Sequence, residues 1–220
     1  MNEGQLIPTA WYGSKIPGHD ETNNSNGEDS DLVEKTDDGI YFYCDVNSKN
    51  NFVLNKLIRS SDKESQVKGF CFGVPPLPVQ LRISSFGGSI FAAMGSVDHI
   101  LSCRAPVHTY IEGCAASAGT IMSVVGKERY IGEHGYMLIH QLRASSWGKY
   151  NELKDGMKNV ETFMKHIKNI YEQYTNVPNK EMDKILSHDL WWDAKTCLKY
   201  GLVDEITTCE DRKPVKRKAS

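Results

Sequence analysis

Three short segments carry residue types that could do chemistry together. GCAASAGT (113–120) presents Ser117 among small residues at a predicted strand-to-helix junction, where a serine is accessible and the next amide can help to stabilise a negative oxygen. SSFGGS (84–89) places a glycine pair between a predicted strand and helix, so the backbone can turn sharply and expose amides at a helix N-terminus. MLIHQ (137–141) ends an apolar strand with His140, at the strand end where sites gather in parallel sheets.

Each segment taken alone also has a plain structural interpretation. The glycine pair could serve only a tight turn, and Ser117 could be the N-cap of a short buried helix. His140 could be a core histidine, as single histidines after apolar strands often are. No other histidine follows a predicted strand so cleanly, although His108 lies within one.

Hydrolysis of a peptide bond is one reaction in which all three segments would have a role. A serine hydroxyl is a poor nucleophile until a base takes its proton, and a base that is neutral near pH 7 is most often histidine. A carboxylate then fixes the imidazole tautomer, and two amides stabilise the oxyanion; losing one such amide costs about 3–4 kcal/mol. Spacing does not choose the carboxylate, because four aspartates are equally plausible on composition: Asp183, Asp189, Asp193 and Asp204.

The composition is typical of a globular protein, and no metal or cofactor is predicted. Apolar residues make up 40% of the 220 residues and charged residues 25%, with a net charge of -2, which gives no electrostatic reason to expect nucleic acid or an anionic membrane as partner. The six cysteines have no CxxC spacing, so no zinc site is predicted. No apolar run matches a membrane span and no secretory signal opens the chain, so we expect a cytoplasmic protein.

The elements that must position these residues alternate between strand and helix. Strands are predicted at 39–46, 79–85, 106–113 and 202–206, with two more around a turn within 128–141. Helices are predicted at 50–61, 89–103, 117–126, 150–174 and 180–188. The first helix would bury Phe52, Val53, Leu57 and Ile58, and FCFGVPPLP (70–78) would interrupt regular structure. This order predicts an α/β domain with a largely parallel sheet.

The chain is predicted to consist of three parts: a mobile arm, a folded domain and a tail. Residues 1–37 are polar and too poor in apolar residues to offset their ordering entropy, so we expect a mobile N-terminal arm. Residues 38–208 would form the enzymatic domain. Residues 209–220 include the basic run KPVKRK, which we interpret as a solvated C-terminal tail.

The segments GGSIFAAMGSVDHI, GCAASAGT, MLIHQ and WWDAKTCLKYGLVDEI resemble, in this order, the motifs of ClpP, the family of proteolytic subunits of Clp proteases. The similarity runs from about Val79 to Ile206. It implies the ClpP/crotonase-type fold, a repeated β-β-α superhelix with a long handle helix, which residues 150–174 match. It also implies a serine peptidase triad of Ser117, His140 and Asp189, with the amides of Gly88 and Ala118 as oxyanion hole.

The resemblance further implies a serine endopeptidase that hydrolyses unfolded proteins or peptides inside an oligomeric chamber. The family forms heptameric rings stacked into a tetradecamer, and some members form mixed rings. An AAA+ Clp ATPase feeds these chambers; no Walker motif occurs in this sequence, so any ATP use would belong to that partner. The family location would be the cytoplasm, or an organelle matrix or stroma.

The sequence departs from the family pattern at three places. Phe86 stands where the family usually has proline, RASSWGKY (143–150) replaces a glycine-rich strand, and FCFGVPPLP resembles an insertion. Three alternatives therefore stay open: a phage-type head-maturation protease of the same fold, an inactive structural subunit of a mixed ClpP ring, and an acyl-CoA enzyme of the crotonase type.

Overall fold

The computed structural model describes residues 33–208. Most of the predicted N-terminal arm and the whole predicted basic tail lie outside these residues. The last part of that arm forms a strand, β1 (Val33–Thr36), which pairs with β2 (Gly39–Phe42) and buries Val33. The folded domain therefore includes residues that the sequence assigned to the arm. Val33 is apolar, and Gly39 follows the two-residue turn at 37–38 with a positive φ of 146°, so this polar stretch can form a hairpin.

The core is one sheet of eight strands. Its main order is β1-β2-β3-β4-β5-β8; β6 also pairs with β4, and β7 pairs with β6. Only the β1–β2 and β6–β7 pairs are antiparallel among the described strands, which confirms the prediction of a largely parallel sheet. The remaining strands are β3 (Val79–Ser85), β4 (Val107–Ala116), β5 (Glu128–Gly132), β6 (Tyr136–Leu138), β7 (Trp192–Asp193) and β8 (Glu205–Thr207).

The central strand β3 shows why the sequence forms this sheet. Its residues alternate between buried and half-buried positions, with Val79, Leu81 and Ile83 facing the core, as a period of two requires. Leu81 pairs with Thr109 and Ile83 with Ile111 of β4, so the buried positions of the two strands lie side by side.

Six helices complete the described domain. They are α1 (Ser48–Phe72), α2 (Ile90–Ser102), α3 (Ala118–Val124), α4 (Tyr150–Tyr174), α5 (Asn179–Leu186) and α6 (Ala194–Lys199). Helix α4 has the bounds that its apolar periodicity predicted. Ser89 caps α2 by accepting a hydrogen bond from the N–H of Ala92, which fixes where the glycine-pair turn ends and the helix begins. None of the helices in residues 33–208 has the length and apolar character of a membrane span.

Helix α1 corrects two sequence predictions. It runs well past residue 61 and ends at Gly73, whose left-handed conformation (φ 66°) lets its N–H bond back to the helix carbonyls. Phe52 is exposed, whereas Asn51 is buried and its amide donates to Ser96 Oγ over 2.7 Å. The buried face of α1 is thus set partly by a polar contact with α2, which apolar periodicity does not reveal.

Candidate active site

Ser117 connects the end of β4 to the start of α3 in a conformation that serine rarely adopts. Its φ is 53° and ψ is -124°, and no other non-glycine residue between 33 and 208 has a positive φ. Such a conformation costs on the order of 1–3 kcal/mol. The Ser117 side chain makes no capping hydrogen bond to α3, so capping does not account for the serine at this position.

Hydrogen bonds on both sides hold the Ser117 backbone in place. Its N–H donates to the carbonyl of Leu138 on β6 over 2.9 Å. Its carbonyl accepts from the N–H of Thr120 at 3.0 Å and from Thr120 Oγ1 at 2.6 Å. The strained serine is therefore anchored to the neighbouring strand and to the first turn of α3.

The glycine pair packs directly beside this serine. A Cβ atom added to Gly87 would lie 2.7 Å from Ser117 Cβ, and one added to Gly88 would overlap the carbonyl oxygen of Val46. Both glycines also have positive φ, at 100° and 141°. No larger residue fits this turn without displacing the backbone, which explains the sequence requirement for glycine here.

The amide of Gly88 points away from Val46, the residue with which it forms an isolated parallel bridge. Val46 donates its N–H to Gly87 and accepts from the N–H of Ser89, at 2.8 and 2.7 Å. In a parallel bridge the residue between these two partners directs its own N–H to the opposite side. Gly88 and Ala118 both line a cavity that also contains Ser117 and His140. The structure thus brings the two predicted oxyanion residues to the same cavity as the predicted nucleophile and base.

His140 reaches this cavity from the strand adjacent to β4. Leu138 of β6 pairs with Ala116 of β4, so His140 and Ser117 each come shortly after the end of paired strands. His140 is 7% exposed. Burial lowers the pKa of its imidazole and Arg143 acts in the same direction, while Asp189 and a backbone hydrogen bond with Gln141 oppose them. The net lowering favours the neutral imidazole that a general base requires.

Asp189 lies near His140 without touching it. Its Oδ1 is 3.9 Å from His140 Nδ1, and its side chain is 44% exposed. That distance is within ion-pair range but longer than a hydrogen bond. The carboxylate can therefore bias the charge on the imidazole, but in this arrangement it does not fix the ring by a direct bond.

The other three candidate aspartates are engaged elsewhere in the fold. Their partners are Lys168 for Asp183, the N–H of Thr196 for Asp193, and the guanidinium of Arg129 for Asp204. Only the fold shows which partner each aspartate has, because most of these partners lie on other helices and strands. Among the four aspartates considered, Asp189 is the one placed beside His140.

Several cavity residues were not identified from the sequence. An apolar wall comes from α2, α3 and α4 and includes Ile90, Ile121, Ile167 and Tyr171, while Arg143 lies at the segment after His140. Tyr171 could have been suspected from the apolar stripe of the predicted long helix. Within residues 33–208, no group of histidine, cysteine and acidic side chains is arranged to hold a metal ion.

A parallel α/β sheet that presents a strained serine and a buried histidine beside a glycine-pair turn defines a ClpP-like protein. The fold matches a solved point mutant of ClpP1 from Listeria monocytogenes with a TM-score of 0.67 at 20% identity, covering 79% of this chain and 93% of that one. This match confirms the predicted ClpP fold class, with α4 as the long handle helix.

Sequence comparison identifies the family. The Clp protease family profile matches residues 74–210, more than half of the chain, and the chain belongs to the Clp protease family. It is 27% identical over 134 residues to an ATP-dependent Clp protease proteolytic subunit of Deinococcus radiodurans, covering 60% of this chain and 66% of the relative. It is 31% identical over 132 residues to a subunit of the same description from Streptococcus mutans, covering 58% of this chain and 67% of the relative. The aligned part spans about two thirds of these relatives.

Proposed function

We propose that this chain is a serine endopeptidase that hydrolyses unfolded proteins or peptides. Ser117 would be the nucleophile, His140 the general base and Asp189 the residue that biases the histidine. The amides of Gly88 and Ala118 would form the oxyanion hole. The observation that carries this proposal is the strained Ser117, which shares one cavity with a buried histidine of lowered pKa.

The reaction would proceed in two halves. In the first, His140 takes the proton of Ser117 Oγ as that oxygen attacks the peptide carbonyl, and the tetrahedral oxyanion accepts hydrogen bonds from the two amides. His140 then gives its proton to the departing amine, which leaves an acyl ester on Ser117. In the second half His140 takes a proton from a water molecule as the water oxygen attacks the ester carbonyl. The bond between the acyl carbon and Ser117 Oγ then breaks, the carboxylic acid product leaves, and His140 returns the proton to Ser117 Oγ.

The assembly belongs to the same proposal. The curated relatives are described as subunits of an ATP-dependent protease, which supports self-association into heptameric rings or mixed rings and feeding by an AAA+ Clp ATPase. The chamber would restrict cleavage to chains that are already unfolded. A location in the cytoplasm, or in an organelle matrix or stroma, stays a prediction.

One observation favours a second candidate, an inactive structural subunit of a mixed ring. The separation of 3.9 Å between Asp189 and His140 is too long for the hydrogen bond that would complete a triad. The phage-type head-maturation protease shares the fold and would use the same serine, so it differs in substrate rather than in site.

A fluorophosphonate probe tests the proposal directly. The native protein is sized by light scattering, labelled, and mapped by peptide mass spectrometry, alongside Ser117→Ala and the control Ser102→Ala, an exposed serine at the end of α2. We expect labelling at Ser117 in the wild type and the control, and none in Ser117→Ala. Peptide cleavage that persists in Ser117→Ala would refute Ser117 as nucleophile. An assembled ring that is not labelled would favour the inactive subunit.

A further inference from the structure

A buried hydroxyl pair connects the handle helix to the segment that carries the serine. Tyr171 Oη on α4 lies 2.7 Å from Thr120 Oγ1 on α3. Both residues are almost completely buried, at 1% and 0% exposure. Thr120 Oγ1 is also 2.6 Å from the carbonyl oxygen of Ser117.

The direction of these hydrogen bonds follows from the groups involved. The Ser117 carbonyl can only accept, so Thr120 donates its single hydroxyl hydrogen there. The hydrogen between the two hydroxyls must then come from Tyr171. Burial raises the pKa of Tyr171 above its ordinary value, so its hydroxyl keeps this proton at working pH. Tyr171 therefore donates a hydrogen bond to Thr120, and Thr120 donates one to the Ser117 carbonyl.

The Ser117 carbonyl belongs to the same peptide unit as the N–H of Ala118. A trans peptide is planar and its C=O and N–H point in opposite directions, and no cis peptide occurs in the described residues. Thr120 holds the carbonyl with both its N–H and its hydroxyl. The two bonds on the carbonyl therefore set the direction in which the Ala118 N–H points, which is the direction that matters for an oxyanion.

We propose that Thr120 and Tyr171 are positioning residues for the oxyanion hole. Tyr171 polarises and orients the Thr120 hydroxyl, and Thr120 fixes the peptide that presents the Ala118 N–H. We call the two hydrogen bonds from Tyr171 to Thr120 and from Thr120 to the Ser117 carbonyl the hydroxyl relay. Because no other described side chain is bonded to Thr120 Oγ1, the relay makes the direction of the Ala118 N–H depend on the position of α4. This inference rests on the proposed peptidase function and adds two residues to it that act through the peptide between Ser117 and Ala118.

The test uses the full chain in its assembled form. Tyr171→Phe keeps the ring and removes the donor, Thr120→Val keeps the shape and removes the hydroxyl, and Thr120→Ser restores a hydroxyl. Tyr174→Phe, one turn along α4, is the matched control. Peptide cleavage gives kcat and KM, a fluorophosphonate probe gives the labelling rate at Ser117, and thermal unfolding with light scattering reports folding and assembly.

We expect Tyr171→Phe and Thr120→Val each to lower kcat about tenfold, less than the 10²–10³-fold loss of an oxyanion donor itself. KM and the acidic limb of the pH profile stay unchanged, because neither substrate binding nor His140 is touched. Thr120→Ser recovers most of kcat. The double variant is no slower than either single variant, because both remove the same relay.

Two results would overturn the proposal in different ways. A wild-type protein that cleaves and is labelled, with Tyr171→Phe and Thr120→Val equally active, overturns the relay alone. The relay is also overturned if the loss of kcat in each variant is fully explained by a smaller fraction of folded protein, or if Thr120→Ser does not recover kcat. A wild-type ring that neither cleaves nor is labelled at Ser117 overturns the proposed function and, with it, the role assigned to the relay.

Discussion

The Nδ1 atom of His140 lies 3.9 Å from the Oδ1 of Asp189, so these two groups attract each other through space without sharing a hydrogen bond. The half-exposed carboxylate opposes the lowering of the His140 pKa that burial causes. Its effect is weakened by solvent, and burial prevails. Four influences thus act on the pKa of one imidazole: burial and Arg143 lower it, while Asp189 and the backbone hydrogen bond with Gln141 raise it.

Asp189→Asn tests the role of the carboxylate. The substitution removes a charge that raises the pKa of His140, so the imidazole should stay neutral to lower pH. We expect kcat to fall, because the imidazolium formed during the reaction is no longer stabilised, and the acidic limb of the kcat/KM profile to move to lower pH. Measuring kcat and kcat/KM over the pH range of the acidic limb checks both the lower kcat and the shift of the limb. A limb that does not move would show that Asp189 does not act on His140, and a limb that moves to higher pH would contradict the direction assigned to its effect.

Arg143→Gln tests the opposite influence on the same group. The guanidinium lowers the pKa of His140, so its removal should raise that pKa and move the acidic limb to higher pH. The shift should be smaller in high salt, because exposed charges are screened. Arg104→Gln, an exposed arginine beyond the end of α2, is the control. An equal shift in the control would mean that net charge, rather than proximity, is responsible.

Gly88→Ala tests the glycine-pair turn. An added methyl group would overlap the Val46 carbonyl oxygen at a φ of 141°, so the turn must move and the Gly88 amide with it. We expect loss of cleavage together with lower stability. The matched control is Gly95→Ala in α2, where nothing lies within 4 Å of the new methyl group; it should stabilise the helix by about 0.5–1 kcal/mol.

Comparable stability of the two alanine variants in chemical denaturation would contradict the steric account. A Gly88→Ala variant that loses stability, as a displaced turn requires, but keeps full activity would argue against the Gly88 amide as an oxyanion donor. The pair is informative because both substitutions add the same methyl group to a glycine.

Asp204 gives a prediction for stability rather than activity. Arg129 donates to Asp204 Oδ2 from Nε over 2.9 Å and to Oδ1 from Nη2 over 2.6 Å, which lowers the pKa of this carboxyl below its ordinary value. A carboxyl with a lowered pKa in the folded state stabilises the fold above its unfolded pKa, and this stabilisation is lost as pH falls through the folded value.

We expect Asp204→Asn to lower the free energy of unfolding by about 1 kcal/mol near pH 7, a value reduced because the carboxylate is partly exposed. The difference from wild type should shrink as the solution becomes acidic. Denaturant titrations at neutral and acidic pH measure it. A difference that stays constant with pH would mean that the ion pair is not its source.

The elements with strong local patterns were predictable from sequence. Strand β3 and helix α4 have the predicted bounds, because strict alternation and a long apolar stripe specify them. The extension of α1 was missed, since its second half buries Ser65 and Gly69 rather than apolar residues. No periodicity marks a helix of that kind.

The site was predictable in part. Strand ends and the family resemblance indicated Ser117, His140 and the glycine pair, and the fold places Ser117, His140 and the second of these glycines, Gly88, around one cavity. Composition and spacing could not choose among the four aspartates, because their partners lie far away in the chain, as the 75 residues between Arg129 and Asp204 show; the family resemblance alone indicated Asp189. The hydroxyl pair of Thr120 and Tyr171 was invisible for the same reason, since it joins two helices far apart in sequence.

The backbone conformation of Ser117 affects which substitutions evolution can favour at this position. Glycine adopts a φ of 53° without strain, so Ser117→Gly should make the fold more resistant to unfolding than Ser117→Ala while removing the hydroxyl. Stability alone would therefore favour glycine at this position. A subunit that served only as a scaffold would gain stability from this substitution, so a serine in this strained conformation fits the proposed catalytic use of its hydroxyl.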